Sequence, residues 1–184
     1  MTGAIELFKQ TIGATIVCLI AISITWLFVP LQDHIGYRYA DHLAFMIYFP
    51  HGCRLLISWA FGTRSALLLL PSAAIEEATM HLLGHFPYVL VIAIVLSVSP
   101  ALAFLISASL GYESRLKYNS RTHWRRLLLL GFASSLIETV TLSNLLGWTS
   151  QQFLVWWLSS WLGVLFTLIS LMFGFRFWRL WMTK

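Results

Sequence analysis

Four ionisable side chains stand inside apolar stretches of this chain: Arg54, Glu76, Glu77 and Glu138. His51 precedes the arginine by one helical turn. An arginine or acidic side chain costs about 2.5–3.5 kcal/mol at the centre of a membrane helix, so these four are expected to face a bundle interior and find partners there. One arginine against three carboxylates leaves an excess of acid, which calls for a protonated glutamate, a second cation or a metal. Two readings stand side by side. One is an Arg–Glu pair that locks the bundle; the other is an outward-opening cavity for a ligand or ion, with Asn144 and His81 nearer its mouth.

Glu77, His81 and His85 recur every four residues, a spacing that stacks side chains on one helical face. Glutamate with histidine could hold zinc or iron, which makes Glu77 and His81 the metal candidates. Gly84 and Pro87 end the helix before His85, and an interfacial histidine with no metal is the simpler account. The Glu76-Glu77 pair is similar to the paired glutamates of intramembrane glutamic proteases. There an arginine follows four residues after the second glutamate; here His81 holds that position and no partner histidine motif follows. The protease reading is set aside, and no catalytic residue is assigned. Haem ligation would need a helically matched second histidine for His51, and none is present, so no cofactor is specified.

The elements that must position these groups are set by Tyr48-Phe49-Pro50-His51-Gly52-Cys53-Arg54. Proline removes a backbone donor and clashes with the preceding turn, and glycine weakens a helix further, so a helix is broken or restarted here. Broken helices at membrane depth are tolerated where protein or a wet cavity surrounds them. A helix starting at Pro50 would present its free N–H groups and Arg54 to one point, a common way to hold an anionic group within a bilayer. The candidate ligand-binding set is therefore Pro50, His51, Gly52, Arg54, Glu76, Glu77 and Glu138.

Composition settles the class. Residues are 59% hydrophobic and 10% charged, against about 25% charged in a soluble domain; mean hydropathy is +0.79. The expectation is an all-α, polytopic membrane protein, a single domain over residues 1–184. Six spans are predicted, at 11–31, 42–61, 65–83, 88–110, 124–146 and 152–175, with the second broken. The basic residues explain the net charge of +5 by topology rather than by nucleic acid. With both termini in the cytoplasm all but Arg38 fall on or towards the inner side. Trp26 and Trp148 suit the outer interface, and Trp59, Trp124, Trp178 and Trp181 the inner one. Trp156, Trp157 and Trp161 crowd the sixth span as a seam facing lipid or a partner. Cys18 and Cys53 lie in apolar runs and read as buried thiols. No cleavable signal peptide is evident. The loop from Arg115 to Arg126 is topological, or meets anionic lipid headgroups or a cytoplasmic partner.

Three short runs carry a resemblance: Phe49-Pro50-His51-Gly52-Cys53-Arg54-Leu55-Leu56, Trp59-Ala60-Phe61-Gly62-Thr63-Arg64, and Leu70-Pro71-Ser72-Ala73. Together they resemble the integral membrane sensor domain (MASE-type) found ahead of bacterial histidine kinases and diguanylate cyclases. Size and span count resemble the substrate-binding S components of energy-coupling-factor vitamin transporters. The resemblance implies a small bundle in a bacterial inner membrane, with an outward-facing pocket at Pro50, His51, Gly52 and Arg54. It differs in that the sensor domain usually has more spans and is followed by an output domain, whereas this chain stops at Lys184. The expected function is thus a non-enzymatic ligand-binding or sensory module acting through a membrane or cytoplasmic protein partner, with lipid around it. The alternatives are a transporter's substrate-binding component, a structural or assembly subunit, or a metal-dependent enzyme at Glu77 and His81.

Overall fold

Proline and glycine decide where the helices start and turn. The computed structural model describes residues 2–34, 47–82, 88–112 and 124–182. Among these residues six α-helices follow one another: α1 (Thr2–His34), α2 (Phe49–Phe61), α3 (Ser65–Leu82), α4 (Val89–Ser109), α5 (Trp124–Leu146) and α6 (Ser150–Met182). Pro50 lies in the first turn of α2, where its missing N–H costs nothing and its fixed φ suits a helix start. Residues 42–46, the upstream part of the expected second span, lie outside the described residues, as do His85 and the basic stretch 113–123.

At its far end α2 closes on Gly62, whose φ of 62° and ψ of −138° favour glycine, and whose N–H donates to the Ser58 carbonyl. A single 3₁₀ turn, Gly62–Arg64, follows, and the Ser65 hydroxyl donates to the Gly62 carbonyl at 2.6 Å. The turn sends α3 back alongside α2. In one continuous helix Arg54 and Glu76 would be separated by roughly 33 Å, yet they share a hydrogen bond.

Among the described residues five segments are long and apolar enough to cross a membrane: Ile5–Pro30, Phe49–Leu82, Val89–Ser109, Trp124–Leu146 and Ser150–Arg179. This differs from the six expected because α2 has only 13 residues, about 20 Å of helix against a hydrocarbon core of about 30 Å. α2 and α3 together make one of the five segments. Pro71 and Pro100 sit inside α3 and α4 without ending them. The serine beside each proline bonds back to a carbonyl of its own helix, Ser72 to Leu69 and Ser99 to Val95.

Short as it is, α2 touches α1, α3, α4, α5 and α6, and no other helix meets all of its fellows. Small residues allow that central position. On α6, Ser159, Gly163 and Thr167 recur every four residues and are buried. The Tyr48 N–H donates to the Ser159 carbonyl at 3.1 Å. A β-carbon on Gly163 would lie 1.8 Å from the Tyr48 carbonyl oxygen, and one on Gly52 would lie 2.3 Å from Thr167 Oγ1. The backbones of α2 and α6 thus cross at a distance only glycine permits, the contact that packs membrane helices without hydrophobic drive. Around α2, Leu55 packs with Phe104, Leu127, Leu130 and Val164. Ile57 packs with Ala14, Cys18, Leu68 and Leu69.

Candidate functional site

His51 and Arg54 leave α2 one turn apart, and both side chains are wholly buried. Each meets a carboxylate from a different helix. Arg54 Nη2 donates to Glu76 Oε2, and the Tyr48 hydroxyl donates to the other oxygen of the same carboxylate. The guanidinium also lies over the Tyr48 ring, 5.5 Å from its centroid, within range of a cation–π contact. His51 Nδ1 lies 2.9 Å from Glu138 Oε2. Glu138 Oε1 accepts from Trp156 Nε1 at 3.3 Å and from Ser160 Oγ at 3.5 Å, so α6 completes this carboxylate's shell.

The two pairs form one hub. The Tyr48 and Trp156 rings sit 5.8 Å apart, joining the Arg54–Glu76 pair to the His51–Glu138 pair. Glu76, Glu77 and Glu138 are 3%, 2% and 0% exposed, so every charge is removed from solvent and lipid. Opposite charges held this way are expected to bind the three helices firmly, because breaking a buried pair strands its partner. Arg54 faces Glu76 and His51 faces Glu138, which leaves Glu77 as the surplus acid.

The hub is not saturated. Among the described residues, Arg54 Nε and Nη1, His51 Nε2, Ser58 Oγ, Ser134 Oγ and Glu77 Oε2 are buried without a hydrogen-bond partner. Ser58 lies one turn beyond Arg54 on α2. Ser134 lies one turn before Glu138 on α5. His51 meets Glu138, and a β-carbon on Gly131 would lie 3.1 Å from Leu55 Cδ2, so α2 and α5 run antiparallel and Ser134 lies between those two levels. Buried polar groups are satisfied in more than nine cases in ten, roughly, and clustered exceptions ask for an explanation.

The sequence-predicted residues divide. The structure brings His51, Arg54, Glu76 and Glu138 together in two directly bonded pairs, and Pro50 and Gly52 supply the helix start and the close crossing that place them. Glu77 is buried beside Glu76 in sequence but pairs with neither Arg54 nor His51. The metal candidates separate: Glu77 is buried while His81 is exposed. Among the described residues no group of three or more His, Cys, Asp or Glu side chains is placed to hold a metal. Asn144 is exposed and its amide donates to the Val140 carbonyl of its own helix. The seam expected from Trp156, Trp157 and Trp161 turns at least partly inward. Trp156 reaches Glu138, and Phe132 of α5 lies edge-on to Trp157 and Trp161 at 5.1 and 6.0 Å.

Tyr48, Trp156 and Ser160 complete the hub and were not singled out as site residues from the sequence. Tyr48 stands two residues before Pro50 of the Pro-x-Gly break, and Trp156 and Ser160 are four apart on α6. Those two spacings are the signals that could have found them. Compared with known protein families, with curated proteins and with solved structures, the chain has no match.

Proposed function

We propose that this protein is a non-enzymatic integral membrane module that binds a small ligand at the buried hub and passes its occupancy to a partner protein. The observation that carries this reading is the wholly buried Arg54 guanidinium, with two of its three nitrogens unpartnered among the described residues. An unpaired buried charge-bearing donor is expensive, and a ligand oxygen would satisfy it. Such a ligand carries an anionic or strongly accepting group for Arg54 and a second polar atom for His51 Nε2 or Ser134. Because α2 touches every other helix, filling the hub would shift the whole bundle, which is what a sensor needs. The resemblance of the Pro-His-Gly-Cys-Arg run to bacterial membrane sensor domains supports the same reading. It also supports an inner-membrane location. In this account α2 dips in as a broken, half-length crossing, the bundle has six crossings, and both termini are cytoplasmic.

A second reading has its own support. Arg54 and Glu76, and His51 and Glu138, already pair with each other, as a bundle lock in a structural or assembly subunit would. Photo-crosslinking from exposed α6 positions in native membranes separates the two. A sensor is expected to show a partner adduct whose yield changes in a folded His51→Gln variant. An adduct of equal yield in wild type and variant would favour the assembly reading.

A further inference from the structure

A second feature lies away from the hub, where the last turns of α4 meet the first turns of α5. A groove of about 440 Å³ runs between them, with walls that include Ile106, Leu110, Leu129 and Leu130 and with Arg126 and Tyr112 along it. Leu110 and Leu129 are 68% and 69% exposed, so the apolar floor opens outwards rather than into the core. Arg126 is also exposed, and it shares no ion pair with any described residue. It is the third residue of α5, where the unpaired N–H groups of the first turn add partial positive charge, and Arg125 stands beside it. α5 is itself one of the apolar segments of crossing length, so its first turn falls at the boundary between hydrocarbon and headgroups.

We propose that this groove is a site for an anionic membrane phospholipid. One acyl chain lies on the leucine and isoleucine walls, and the phosphate sits on Arg126 at the start of α5. Charge complementarity selects the occupant. A cationic side chain above an aliphatic trough at headgroup depth matches a lipid with net negative charge better than a zwitterionic one, whose ammonium would face Arg126. The site is independent of the hub, since no hub residue lines it.

Native mass spectrometry of the detergent-purified chain, titrated with dioleoyl phosphatidylglycerol or dioleoyl phosphatidylcholine, tests the proposal. The wild type is expected to retain one phosphatidylglycerol at least ten-fold more tightly than phosphatidylcholine. Arg126→Gln, at an exposed position that should not disturb folding, is expected to bring the ratio close to one. Leu129→Glu is expected to weaken both lipids together. Equal retention of the two lipids by the wild type would overturn the proposal, as would a preference that survives Arg126→Gln. Displacement of the retained lipid by a co-purifying protein, with no lipid preference in its absence, would instead assign the groove to that protein.

Discussion

Replacing Glu76 by alanine should be among the most damaging single changes to this bundle, and its cost can be reasoned from the contacts. The glutamate accepts from both Arg54 and the Tyr48 hydroxyl. Its removal leaves a guanidinium that is 0% exposed with no hydrogen-bond partner among the described residues. Breaking a buried ion pair by deleting one side costs about 3–5 kcal/mol, and the lost tyrosine bond adds about 1 kcal/mol. A neutral interhelical hydrogen bond in a membrane is worth only about 0.6 kcal/mol on average, so the stranded charge and not the lost bond dominates. The double variant Arg54→Leu with Glu76→Leu removes both charges and should therefore cost less than Glu76→Ala alone. Reversible unfolding in dodecylmaltoside micelles titrated with dodecyl sulfate, followed by helicity, measures both. A cost below about 1 kcal/mol for Glu76→Ala would refute the reasoning. So would a double variant as costly as the two single changes added together.

Two further outcomes follow from packing. Gly163→Ala should fail to accumulate as a folded monomer, because its β-carbon would meet the backbone carbonyl of Tyr48 at 1.8 Å, whereas Gly174→Ala, with nothing within 4 Å, should fold normally; size-exclusion profiles of the two in detergent make the comparison. Cys18, on α1, is wholly buried in a cluster with Ile57 of α2 and Leu68 and Leu69 of α3, and Cys53 is half-buried. Maleimide should therefore label Cys18 only after dodecyl sulfate unfolding, and rapid labelling in mild detergent would mean that α1 does not pack as described.

Much of the architecture is legible because bilayer physics leaves few choices. The fifth expected span, 124–146, coincides with α5, and Gly62 marks the turn into α3, since long apolar runs and positive-φ glycines signal themselves locally. The Pro50–Arg54 stretch could be placed at the centre for the same reason: proline, glycine and arginine are all too costly at membrane depth to face lipid. Pairing was harder to read. Glu76 and Glu77 are neighbours in sequence but point about 100° apart on a helix, and only the rotation of α3 against α2 decides that Glu76 receives the arginine. The line Ser159, Gly163, Thr167 does not stand out in the sequence because four-residue spacings of small residues are common, and what gives this one meaning is α2 lying against it. The crowding of Trp156, Trp157 and Trp161 suggests a seam facing lipid or a partner; the turn of Trp156 towards Glu138 depends on a tertiary contact that composition does not carry.

The Arg54 hub is proposed to bind a small ligand. The most direct test is native mass spectrometry of the 21.0 kDa chain released gently from its own membranes, beside a folded variant with both Arg54→Leu and Glu76→Leu. The account predicts a small added mass on the wild type that is missing from the variant and unaffected by Arg126→Gln. A wild type that carries no such mass, or a mass that stays with the variant, would contradict it.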